Sequence, residues 1–285
     1  MILATMAARA TNFTFTANSG DWNYSGNWNP NGVPTSGDTA TIPNGKTCKI
    51  ADANQSCTNI VIQSGGTLGL ESRDLTLSAG SVSNAGTFYF DNTGGGVPRV
   101  LLAGDTTFQG YLGTNGIYTA RITDGYGPVK FESSGSTSRS IIVLGITLKG
   151  SFQFLGTTSA DITVDLDDST AKLEVDHASD EMLIGGAAAP YNKTNLMGVG
   201  EAKVSAGNLK LGRASIEGFV DTSVTLRATG GTLTFTGDFA DAGSAKLMAV
   251  GGIIDVDGTV AGEGGIGIGG DCQIKVAPSG YFSWE

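Results

Sequence analysis

A short apolar strand followed by a turn recurs at a nearly fixed interval through much of this chain. Leu68, Phe88, Phe108 and Val129 each open such a strand, at steps of 20, 20 and 21, and Leu233, Ile253 and Ile274 do so again at 20 and 21. The units look alike: Gly-Gly-Thr-Leu-Gly-Leu from Gly65, Ala-Gly-Thr-Phe-Tyr-Phe from Ala85, Gly-Gly-Thr-Leu-Thr-Phe from Gly230 and Gly-Gly-Ile-Ile-Asp-Val from Gly251. A fixed period in this range is the signature of a stacked array. One unit cannot bury its apolar side alone, whereas a stack builds a continuous core. The expected fold is therefore all-β, a single parallel β-helix (β-solenoid) with coils of about 20 residues. In such a scaffold, function is expected on the outer face, at the ends or in oligomer contacts.

Within the array, apolar and polar residues alternate over three to five positions and then meet Gly or Asn, as in Ile60-Val-Ile62, Leu75-Thr-Leu77 and Thr87-Phe-Tyr-Phe90. This is the pattern of a half-buried strand. A second series interleaves late in the chain (Val224-Thr-Leu226, Leu247, Ile266-Gly-Ile268), which gives two or three strands per coil. Short antiparallel strands of a sandwich are the competing reading, and the near-identical units favour the solenoid. The chain divides into an N-terminal arm and first strand (1–20), a Trp-rich capping segment (21–46) and the β-helix (47–285), with a loop insertion near 185–200. Both ends of a solenoid leave unpaired strand edges that natural proteins cover. Trp22 and Trp28 are placed to cover the first coil, and Tyr281, Phe282 and Trp284 to cover the last or to bury themselves in a partner chain.

Composition narrows the function classes. Net charge is −10, and the 17 basic residues are scattered. Binding nucleic acid through released counterions needs clustered Lys and Arg, so a nucleic-acid partner is not expected. No apolar run approaches the ~18 residues of a membrane helix, so membrane insertion is not expected either. Cys48, Cys57 and Cys272 are an odd set without a disulfide framework. No CxxC or Cys/His cluster suggests zinc, and no cofactor is expected. The N-terminal stretch Met1–Ala10 lacks a basic leader and reads as a flexible arm, which fits a protein used without secretion.

The segment Trp22-Asn-Tyr-Ser-Gly-Asn-Trp28-Asn-Pro-Asn-Gly-Val-Pro34-Thr-Ser-Gly-Asp38-Thr-Ala-Thr-Ile42-Pro-Asn-Gly45 resembles the "W…NW…GVP…GDTATI…G" opening of right-handed parallel β-helix proteins. These are autotransporter passengers of bacterial surfaces and tailspike-like phage virion proteins. The resemblance covers this segment alone. It implies a β-helix displayed outside a cell or particle and, in the phage version, a homotrimer contacting major capsid or tail proteins. It carries no catalytic motif to transfer.

Local chemistry is sparse. Gly45-Lys46-Thr47 superficially looks like a phosphate loop, but Ala40 stands where a glycine is required and no helix follows; Gly45 reads as a turn. Asp161, Asp165 and Asp167 fall on one side of a strand and are candidate cation ligands, without an EF-hand or nonapeptide spacing. Carboxylate pairs from Asp161, Asp165 and Asp176, or Asp255 with Asp257, are the candidates for polysaccharide cleavage by acid and base. His177, the single histidine, lies near Ser179 and Ser205 and reads as a solvated loop residue. The functional expectation is a non-enzymatic phage structural protein on the virion exterior: a capsid decoration or cement protein, or a spike stem. The alternatives are a bacterial surface adhesin or carbohydrate-binding β-helix contacting a host-surface glycan and, after it, a polysaccharide-degrading β-helix.

Overall fold

Strands of two to six residues follow one another through the chain, and the computed structural model stacks them into a parallel β-solenoid. It describes residues 10–71, 73–91, 99–104, 106–110, 116–119, 129–133, 138–155, 162–185, 194–212, 214–216, 224–236, 239–241, 245–257, 259–262, 264–278 and 281–284. The strands form three sheets of 13, 11 and 10 strands, which the chain visits in rotation. One coil, for example, runs Asn59–Ile62 in the first sheet, Thr67–Glu71 in the second and Asp74–Leu77 in the third. The next repeats the circuit with Gly80–Asn84, Thr87–Asp91 and Arg99–Leu102. Every described pairing is parallel except that of Trp28–Asn29 with Asn12–Phe15.

Because side chains alternate across a strand, in-register stacking turns inward positions into continuous columns. Cys48, Leu68 and Phe88 form one, and Leu209, Leu233 and Ile254 another; all six are fully buried. Burial of such side chains is the main stabilising contribution, roughly 1.5–3 kcal/mol for each large one. Mid-body, Phe131 stacks on Phe154 with ring centroids 5.2 Å apart and meets Phe108 edge-on at 5.7 Å.

The coil length differs from the expected 20 and averages about 24 residues. Along the second sheet, Cys48, Leu68, Phe88, Ile117, Leu148, Leu173, Ala202, Leu226, Leu247 and Ile266 are successive register partners, at steps of 20, 20, 29, 31, 25, 29, 24, 21 and 19. The extra residues fall between strands. A strand needs only an in-register neighbour, so connections lengthen without disturbing the stack. The even spacing of Leu68, Phe88, Phe108 and Val129 hid a change of sheet. Phe108 pairs with Val82 in the first sheet, and Val129 opens a strand of the third. Late in the chain the column is Leu233, Ile254 and Ile274; Ile253 pairs with Thr232, one residue out of phase.

The look-alike units feed two different sheets: those from Gly65 and Ala85 lead into the second, those from Gly230 and Gly251 into the third. Their shared glycine is a corner requirement. A Cβ on Gly66 would run into the Ile42 carbonyl, and one on Gly86 into the Gly66 carbonyl, so the corner closes only without a side chain. The expected arm is represented by Asn12–Phe15, a strand of the first sheet; residues 1–9 lie outside the described residues. Within the expected insertion near 185–200, Thr194–Gly198 is a strand pairing with Ile162–Leu166, and residues 186–193 lie outside the described ones.

Candidate functional site

The features able to carry function are the two ends and the charged outer faces between them. At the N-terminal end, Trp22 and Trp28 are both buried, with ring centroids 4.9 Å apart, edge to face. The Trp28 indole donates its N–H to the Trp22 carbonyl at 2.7 Å and sits against Phe15 at 5.1 Å. Asn27, between them in sequence, donates its side-chain amide to the Asp21 carbonyl at 2.8 Å, which ties the turn to the first strand of the second sheet. Asp38 holds the segment from the other side. Its carboxylate accepts from the Thr11 amide at 2.9 Å, the Thr35 amide at 2.8 Å and the Thr35 hydroxyl at 2.7 Å. Burial pushes this carboxyl up, but the three hydrogen bonds outweigh it and hold it below the usual carboxylate range. Gly45 takes the left-handed conformation (φ 71°) that marks a turn.

The outer faces of the second and third sheets carry a lattice of ion pairs, and every described pair joins one coil to the next. On the second sheet, Lys149 meets Asp176 at 2.6 Å and Glu174 at 3.8 Å, while Lys203 reaches Glu174 from the other side at 3.4 Å. Glu201 takes Lys172 at 3.9 Å and also the Arg227 guanidinium. Lys49 meets Glu71 at 2.8 Å, and the Tyr89 hydroxyl lies 3.0 Å from the same carboxylate. On the third sheet, Arg99 grips Asp74 through two nitrogens at 2.6 and 2.9 Å, and Lys210 meets Glu181 at 2.6 Å. Glu201, Lys203, Arg227 and Thr229 line a shallow depression, whose two cations both face carboxylates.

The acidic candidates separate. Asp161 lies outside the described residues. Asp165 stands in register between Ile142 and Met197, so burial, followed by repulsion from Asp167, pushes its carboxyl up. Asp168 turns away to close its own loop, accepting from the Thr170 amide and hydroxyl, both at 2.6 Å. Asp176 belongs to the ion-pair lattice, and Asp255 stands in register with Thr234 and Lys275. Among the described residues, no three His, Cys, Asp or Glu side chains gather to hold a metal ion. His177 Nδ1 lies 2.8 Å from the Ser179 hydroxyl, which closes a surface turn. Cys48 and Cys57 are free buried thiols in different sheets; burial pushes the Cys57 thiol up to about 12 and Cys48 well above its ordinary value.

At the C-terminal end, Tyr281 is exposed, Phe282 is half-buried against the core, and Trp284 lies in the last strand of the first sheet. Sequence reasoning did not find the ion-pair lattice. Its partners, such as Lys49 with Glu71 or Arg99 with Glu132, stand a whole coil apart in the chain, and pairing them requires the coil lengths first.

Residues 27–90 match the G8 domain family. The match runs from just before the second tryptophan of the N-terminal segment into the strand Thr87–Asp91. Comparisons with curated proteins and with solved structures yield no match.

Proposed function

We propose that this chain is a non-enzymatic structural protein displayed on the outside of a phage particle, as a decoration or cement protein or as the stem of a spike. The observation that carries this reading is the use of the outward carboxylates. Glu71, Asp74, Glu132, Glu174, Asp176, Glu181 and Glu201 each face a cation on the neighbouring coil. Glycan cleavage needs two carboxyl groups facing one substrate, whereas each of these is engaged by a cation of the stack. Each exposed pair contributes only about 0.2–1 kcal/mol, but a repeated inter-coil lattice stiffens the whole rod. The resemblance of the Trp22–Gly45 segment supports display outside a cell or particle. On a particle the protein acts by mass action: contacts made only in the assembled lattice stabilise that lattice.

The test is co-sedimentation of the purified chain with emptied phage heads, alongside an assay for new reducing ends on bacterial polysaccharides. Saturable co-sedimentation without polysaccharide cleavage is expected. Cleavage that disappears in Glu174→Gln or Asp176→Asn would overturn the non-enzymatic reading, and failure to co-sediment would overturn the capsid attachment.

A further inference from the structure

The ion-pair lattice covers the outer faces of the second and third sheets and leaves the first almost free of charge. In the first sheet, the described side chains that alternate with buried ones are Thr, Ser, Asn, Val, Ile, Leu and Met, and Asp165 is the single charged member. Ile142, Leu144 and Met197 form an apolar patch on this face. Ile142 and Leu144 lie two apart on one strand, and Ile142, Asp165 and Met197 are successive register partners. The three apolar side chains stay partly exposed, while their strand neighbours Ile141, Val143 and Leu196 are fully buried. Beside the patch, Ser140, Thr163, Asn195 and Ser215 follow one another in register, all small or uncharged.

Charge says what this face can meet. The chain carries −10 overall, so two copies repel each other. A contact through the second or third sheet would also strip water from the carboxylates and cations of the lattice, which is costly. The first sheet is the face where two copies meet at least cost. Its extent is sufficient: about 4.8 Å between strands and about 15 Å along each give a strip of roughly 700 Å² over the strands from Thr39–Ile42 to Tyr281–Trp284. That is close to the ~800 Å² each partner contributes to a stable interface. Asp165 is the one obstacle. Among the described residues no cation or hydrogen-bond donor reaches it, and the charge that acts on it is Asp167, a like one. Arg139, the one charge on Arg139–Leu144, stands in register with Ile162 at the far end of the strand, and Thr194–Gly198 carries none.

We propose that the outer face of the first sheet is a lateral self-association surface, on which Ile142, Leu144 and Met197 pack against the same patch of a second copy and the Asp165 carboxylate opposes the contact. One sheet face laid on another takes a single partner, so the contact is isologous about a twofold axis. Each copy buries its Asp165 in it, and an ionised Asp165 would lie there without a counter-ion. The pair differs from the homotrimer that the family resemblance implies, and it stands independently of the proposed virion role.

The test is native mass by light scattering over a concentration series of the full chain, for the wild type, Asp165→Asn, Ile142→Lys and Thr147→Lys. The last adds the same charge to the outer face of the second sheet. A two-chain mass is expected for the wild type at high concentration. Association should strengthen at least about tenfold in Asp165→Asn and weaken at least about tenfold in Ile142→Lys, with Thr147→Lys unchanged. Burial and Asp167 push the Asp165 carboxyl up, so lowering the pH through its raised value should strengthen wild-type pairing more than that of Asp165→Asn. Unchanged circular dichroism of the variants separates these results from misfolding. A one-chain mass for both the wild type and Asp165→Asn, a three-chain mass, or a dimer that Ile142→Lys and Thr147→Lys affect equally would overturn the proposal.

Discussion

At the N-terminal end, Trp22, Trp28 and Phe15 are sealed inside the first turns, and an antiparallel strand closes the edge of the first sheet. At the C-terminal end, Ile274 and Val276 are exposed although Ile254 and Val256, their register partners one coil earlier, are fully buried. Strand chemistry is the same in both places. What differs is the covering segment, residues 22–38, which folds back over the first coil and is anchored by Asp38 and Asn27. A solenoid's columns stabilise its middle, and its ends depend on separate devices, so the two ends should respond differently to perturbation.

The largest expected contrast is between Trp28→Ala and Tyr281→Ala. Emptying the buried indole site is expected to cost about 3–5 kcal/mol, whereas truncating the exposed tyrosine changes chain stability by no more than about 0.5 kcal/mol. Urea unfolding with an unchanged slope reads both; equal losses would break the comparison.

Next is Asp38→Ala, which leaves the Thr11 and Thr35 donors without their acceptor and is expected to cost about 1–3 kcal/mol. Its pH dependence has a definite sign. The Asp38 carboxyl is depressed in the fold below the ordinary 3.8. Its stabilisation is therefore present above 3.8 and lost as pH falls through the folded value. Asp165 runs the other way. Its carboxyl is raised above 3.8 by burial between apolar neighbours and by Asp167, so it costs stability at neutral pH, and that cost is relieved as pH falls through the raised value. Thermal unfolding followed from neutral to acid pH should lose part of its acid-side decline in Asp38→Asn and become slightly steeper there in Asp165→Asn.

A smaller effect separates the two tryptophans. The Trp28 N–H has an acceptor, whereas the buried Trp22 N–H has no hydrogen-bond partner among the described residues. Trp28→Phe should therefore be about 1 kcal/mol more destabilising than Trp22→Phe. Equal costs would mean that the hydrogen bond contributes nothing. The smallest effect belongs to the ion-pair lattice: Glu174→Gln is expected to cost under about 1 kcal/mol and to lower the sensitivity of unfolding to salt.

The solenoid was legible in the sequence because inward columns impose alternation on every strand, and its corner glycines repeat for a steric reason at Gly66 and Gly86. Coil length was not legible. Leu68 and Phe88 share a column, whereas Phe108 reaches the same spacing from a different sheet, and a one-dimensional period cannot tell the two apart. The burial of Trp22 and Trp28 followed from aromatic content beside turn residues. Asp38 was visible only as one letter of a motif, since its donors, Thr11 and Thr35, come from two separate stretches of chain. The cross-coil pairs of Lys149, Glu174 and Lys203 stayed hidden for the same reason as the coil length: charge partners are assigned by register.

The most direct test of the contrast between the two ends is amide hydrogen exchange on the full chain. Amides of Phe13–Phe15, covered by Trp28–Asn29, should exchange slowly. Amides in 264–269, which pair along one edge among the described residues, should exchange fast. Equal protection at both ends would contradict the contrast.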